Sequence, residues 1–96
     1  MKRSLKGIGG TSFHGDVIKT SKYQLLELLG KPNYQDSFED KTQNEWVCET
    51  EEGEVFTIYD WKEYRVYGDD ELIEWHIGGY SKAITGQAQM EIEKCL

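Results

Sequence analysis

Apolar and polar positions change period several times along this chain, and each change predicts an element. Between Thr11 and Lys19, Phe13, Val17 and Ile18 make a short strand-like run that Gly15 interrupts, as a β-bulge would. From Ser21 to Leu29 the spacing becomes helical. Tyr23, Leu25, Leu26, Leu28 and Leu29 supply an apolar face, Ser21 and Gln24 have capping-box spacing, and Gly30 with Pro32 stops the helix. Asn33 to Asn44 is polar and reads as a solvated loop, whose Asp36, Glu39 and Asp40 lack the spacing of a calcium loop. Strict alternation follows: Trp46, Cys48 and Thr50 face one way, Glu45, Val47 and Glu49 the other. Glu51, Glu52 and Gly53 turn the chain into a second strand, Val55 to Trp61, with Gly53 at the position that tolerates positive φ. Apolar residues on both faces of that strand mark it as central.

A charged connector from Lys62 to Leu72 turns around Gly68, Asp69 and Asp70. The last strand places Glu74, His76 and Gly78 on one face and Trp75 and Ile77 on the other. Gly78 and Gly79 then predict a turn, Ser81 a helix N-cap, and Ile84, Ala88 and Ile92 a helical face ending near Cys95. Gly86 in that helix implies that a neighbour needs the space or that the helix bends. The order is βαβββα: an α+β fold with a four-strand, mostly antiparallel sheet and two helices on one face. Residues 1–10 read as a flexible basic arm and 11–96 as one domain.

Composition narrows the function classes. Hydrophobic residues are 38% and aromatic ones 12% of the chain, so Trp46, Trp61 and Trp75 are expected to supply much of the core. Net charge is −7 and unevenly spread. Met1 to Lys31 holds six basic and two acidic side chains, and the rest five and sixteen. That balance disfavours general nucleic-acid binding, which needs a basic face, and suits a local anion site or an acidic face for a basic partner. Cys48 and Cys95 lack metal-type spacing and follow no secretory leader, so reduced thiols and a cytoplasmic location are expected. No run approaches the ~18 apolar residues of a membrane span.

Two stretches carry candidate chemistry. A glycine turn feeding a helix offers N–H groups and the positive end of the helix dipole, so Gly78, Gly79 and Ser81, with Lys82 beside them and His76 ahead, form a candidate phosphate or carboxylate site. Glycine used for geometry alone explains the same residues. Tyr59, Trp61, Lys62, Tyr64, Arg65 and Tyr67 interleave rings with cations, a pattern that stacks a base and pairs with its phosphates. The plainer account puts Tyr59 or Trp61 in the core and pairs Lys62 and Arg65 with Asp60 and Glu63 at the surface. No nucleophile–base pair, paired carboxylates or metal set has recognisable spacing, so no catalytic residue, metal or cofactor is assigned.

The segments Leu-Gly-Lys-Pro (Leu29–Pro32), Ile-Tyr-Asp-Trp-Lys (Ile58–Lys62) and Glu-Trp-His-Ile-Gly-Gly (Glu74–Gly79) give the chain a resemblance to a family of small tailed-phage proteins. Members often carry Phe-Gly-Glu-Pro at the first block and Asp-Gly where this chain has Glu52-Gly53. The resemblance implies a non-enzymatic protein of the infected host's cytoplasm that acts on host defence. Two expectations follow. One is capture, without turnover, of a phosphate-bearing small molecule such as a nucleotide-derived defence signal, through Tyr59, Trp61, Lys62, Arg65, His76, Gly78, Gly79, Tyr80, Ser81 and Lys82. The other is an acidic interaction protein that occludes a basic cleft of a host protein, as a monomer or an oligomer, through Asp36, Glu39, Asp40, Glu51, Glu52, Glu54, Asp69 and Asp70.

Overall fold

The structure, a computed structural model, describes residues 1–7, 9–37, 42–61 and 67–96, with the backbone alone at 34–37 and 42–43. Its elements are β1 (Lys2–Arg3), β2 (Ser12–Ser21), α1 (Lys22–Leu29), β3 (Tyr34–Ser37), β4 (Thr42–Glu49), β5 (Val55–Asp60), β6 (Leu72–Gly79) and α2 (Lys82–Cys95). The fold is α+β. Its antiparallel sheet runs β1-β4-β5-β6-β2, with β3 also against β4.

The four expected strands are β2, β4, β5 and β6, and two short ones are additional. β3 pairs with the first half of β4 and β1 with Cys48 and Glu49, so the two share one edge end to end. The polar loop expected over 33–44 is thus corrected: an edge strand needs a ladder partner more than apolar side chains, and β4 supplies it. β5 is central, between β4 and β6. Gly15 sits at φ 100° inside the register shift between Phe13 and Val17, the bulge its position implied.

One face of the sheet holds the core. Ile18, Trp46, Cys48, Phe56, Ile58, Ile73, Trp75 and Ile77 form one buried cluster with Leu25 and Leu29 of α1 and with Ala88 and Ile92 of α2, so both helices lie on that face. Trp46 and Trp75 meet edge to face at 5.5 Å. The third tryptophan does not join them: Trp61 is 40% exposed, because it continues the opposite pleat of β5. Ser21 and Gln24 cap α1 reciprocally, and Gly30 at φ 81° ends it.

Residues 1–10, expected as a free arm, belong to the domain where they are described. Arg3 donates from Nη1 to the carbonyls of Leu29 (2.6 Å) and Lys31 (2.7 Å), satisfying the end of α1. Ser4 N–H donates to the Val47 carbonyl (3.0 Å), Lys6 to the Gly53 carbonyl (2.8 Å), and Tyr80 OH to the Gly7 carbonyl (3.3 Å). These contacts tie residues 3–7 to β4, to the β4–β5 turn and to the residue after β6; Val47, Val55 and Thr57, on the pleat opposite the core, are buried.

Two predictions arise here. A Cβ added at Gly86 meets nothing within 4 Å, so no neighbour requires the glycine. Gly86→Ala is expected to stabilise the protein by about 1 kcal/mol, read as a higher urea midpoint with unchanged slope. A lower midpoint would contradict this. The two thiols should also differ sharply. Burial pushes Cys48 up to about 12, whereas Cys95 is exposed. A thiol reagent should label Cys95 in the native protein and Cys48 after unfolding; equal native labelling would contradict that burial.

Candidate functional site

The sheet face away from the helices carries a ring cluster, and strand register builds it. Tyr59 of β5 lies directly opposite His76 of β6, and their rings meet at 5.6 Å and 64°. Trp61 follows two residues after Tyr59 on the same side, 6.2 Å from both the Tyr59 and His76 rings. Phe13 of β2 is paired with Gly78, which has no side chain, and leans diagonally to stack on His76 at 4.1 Å and 19°. Phe13 and Trp61 are 43% and 40% exposed, while Tyr59 and His76 are half-buried.

Carboxylates border these rings. Glu45 of β4 is opposite Tyr59, and Glu74 lies two residues before His76 on the same face, opposite Lys19 of β2. Burial, with the Glu45 charge, raises the Tyr59 hydroxyl above its ordinary value. Burial lowers His76 below its ordinary value against the opposing pull of Glu74. Among the described residues, the face therefore offers π surface bordered by Glu45, Glu74 and Lys19.

The expected anion site is built differently. Gly78 and Gly79 do not form a turn. They are buried in β6 between β5 and β2, where their backbone groups belong to the sheet ladder. A Cβ on Gly78 would sit 2.7 Å from Thr57 Oγ1, and one on Gly79 2.8 Å from Thr85 Cγ2, so close packing is what these glycines serve. Ser81 is the N-cap of α2, its Oγ accepting from Ile84 N–H at 3.3 Å.

The start of α2 has an anion, and the protein supplies it. The bulge in β2 brings Asp16 beneath the first turn, where its carboxylate accepts from Lys82 Nζ at 2.7 Å and from Thr85 Oγ1 at 2.6 Å. Burial pushes the Asp16 carboxyl up, but hydrogen bonds from Lys82 and Thr85 and the charges of Lys82 and His14 outweigh it and hold the group below its ordinary value.

Of the residues singled out by sequence, Tyr59, Trp61 and His76 come together, with Phe13 joining them. Gly78 lies beneath that cluster, while Gly79, Ser81 and Lys82 serve the β6–α2 junction. Tyr80 is elsewhere, hydrogen-bonded to Gly7 and packed against Gly10. Lys62, Tyr64 and Arg65 lie outside the described residues. Tyr59 and Trp61 share a face as expected, but neither belongs to the core cluster.

Phe13 and Asp60 carry structure that the letters hid. Asp60, expected at the surface, is fully buried; it accepts from Asn44 N–H at 2.9 Å and from Tyr67 OH at 2.6 Å. The available signal was its pleat, shared with Phe56 and Ile58. Nothing local announced Phe13, whose partners lie across the sheet.

A separate cleft of about 240 Å³, lined by Met1, Arg3, Leu28, Gln87, Glu91 and Cys95 among others, lies away from the rings. Glu91 there accepts from Gln87 at 2.9 Å and from Glu51 N–H at 3.1 Å, while the buried Arg3 Nε has no hydrogen-bond partner among the described residues. Among the described residues no three His, Cys, Asp or Glu side chains gather as a metal set, and no helix is long and apolar enough to cross a membrane. Compared with protein-family models, with curated proteins and with solved structures, the chain matches none.

Proposed function

We propose that this protein is a non-catalytic interaction protein of a phage type, acting in the host cytoplasm, that docks on a basic surface of a host protein and occludes it. The observation that carries the reading is the ring cluster of Phe13, Tyr59, Trp61 and His76 bordered by Glu45 and Glu74, in a molecule of net charge −7. Exposed Glu51, Glu52, Glu54, Asp69 and Asp70 extend the same sign around the molecule, while the side chains of Asp36, Glu39 and Asp40 lie outside those described. Closure of the Gly78–Gly79 backbone and the pairing of Lys82 with Asp16 engage the anion donors expected at the start of α2.

The test is a pull-down from producing cells followed by affinity measurement on the captured protein. Binding should involve a basic partner, weaken at least about tenfold between low and physiological salt, vanish in Glu45→Lys/Glu74→Lys, and survive Lys82→Ala. Salt-independent capture, untouched by charge reversal, would reject it. A second reading keeps the rings but gives them the base of a phosphate-bearing small molecule, with Lys62 and Arg65 supplying charge. Its signature is thermal stabilisation by nucleotides or cyclic dinucleotides, about 2.7 kcal/mol at a hundredfold excess over Kd.

A further inference from the structure

We infer that the groove between the β4–β5 turn and the first turns of α2 receives a long cationic side chain of the partner, its aliphatic stem on Ala83 and Ile84 and its charge between Glu52 and Glu54. This rests on the reading that the partner is basic, and names a place where one of its side chains seats.

Strand register builds the groove. Phe56, near the start of β5, stands opposite Gly79 at the end of β6, so the β4–β5 turn and the start of α2 lie at one end of the sheet. About 220 Å³ opens between them, lined by Thr50, Glu52, Glu54, Ala83, Ile84 and Gln87. The turn is held in place: Thr50 N–H donates to the Glu54 carbonyl at 2.9 Å, Gly53 N–H to the Thr50 carbonyl at 2.9 Å, and Glu54 N–H to Thr50 Oγ1 at 3.2 Å. Glu52 and Glu54 are exposed, and among the described residues their carboxylates have no ion pair or hydrogen bond. Two lysines adjoin the groove, and both are engaged elsewhere: Lys6 with the Gly53 carbonyl at 2.8 Å and Glu49 at 3.5 Å, Lys82 with Asp16 at 2.7 Å. An apolar floor beneath free carboxylates is complementary to lysine or arginine, whose methylene stem lies on apolar surface while its charged head keeps to the polar rim. The same carboxylates repel a phosphate, and an apolar side chain gains nothing from them.

NMR titration of the intact protein at low salt with a capped lysine–glycine repeat peptide, and with a diaminobutyrate–glycine peptide of equal charge and shorter stem, tests the inference. The lysine peptide should bind about fivefold more tightly, because its extra methylenes are covered on the groove floor, and should move the amide signals of Ala83, Ile84 and Gln87. Ala83→Lys, at an exposed helix position, should remove that preference with the circular dichroism spectrum unchanged, and Glu52→Gln/Glu54→Gln should weaken both peptides. Equal affinity for the two peptides, or signals that move only elsewhere, would overturn the groove while leaving acidic docking standing. Failure of both peptides to bind would overturn both.

Discussion

Replacing Asp60 with alanine is expected to cost about 3 kcal/mol of stability. Its carboxyl group is fully buried and accepts from the Asn44 amide and the Tyr67 hydroxyl, and truncation strands both donors at roughly 1–3 kcal/mol each. The Tyr67 oxygen also accepts from Asn44 Nδ2 at 2.7 Å, so the three residues act as one network linking β4, β5 and the chain before β6. Tyr67→Phe should cost less, about 1–2 kcal/mol, and the double variant Asp60→Ala/Tyr67→Phe less than the sum. Urea unfolding measures all three. For a domain stabilised by roughly 5–15 kcal/mol, the single Asp60 change is a large fraction. A loss below ~1 kcal/mol would show that the network contributes little.

Gly79→Ala is the second large effect, about 2 kcal/mol of destabilisation, and it has a specific remedy. The new methyl would lie 2.8 Å from Thr85 Cγ2 and 3.4 Å from Ile84 Cγ2, on a helix whose first turn is held by Ser81 and Asp16 and yields little. Thr85→Ser removes the clashing methyl while keeping the hydroxyl that donates to Asp16. On its own it should cost under about 1 kcal/mol, and in the Gly79→Ala background it should recover at least half of the loss. Thr85→Val should fail to do so, because it keeps a methyl at the contact and strands Asp16. Strictly additive losses in Gly79→Ala/Thr85→Ser would overturn the close-packing account of Gly79.

The same pair of glycines illustrates how far the letters can be read. A Gly-Gly before a capping serine predicts a turn, since glycine most often serves conformation there, yet neither Gly78 nor Gly79 has positive φ. What they serve is approach: β6 passes close under α2 on one side and beneath Thr57 and Tyr59 on the other. The expectation about charge at α2 was physically sound in one respect, because the helix start does hold an anion. Asp16 is 66 residues away in sequence, which no local pattern expresses.

Signals confined to a few neighbouring residues were sufficient for the elements themselves. The Ser21–Gln24 cap, the Gly15 bulge, the Gly53 hairpin and the alternation of β4 to β6 each act over one turn or one pleat, so composition and spacing determine them. Sheet order and register decided the rest: that β3 pairs at the edge, that Asp60 is enclosed, and that Phe13, Tyr59, Trp61 and His76 meet on one open face. Those contacts join strands distant in the chain, and their geometry exists once the ladder has set which residues stand opposite one another.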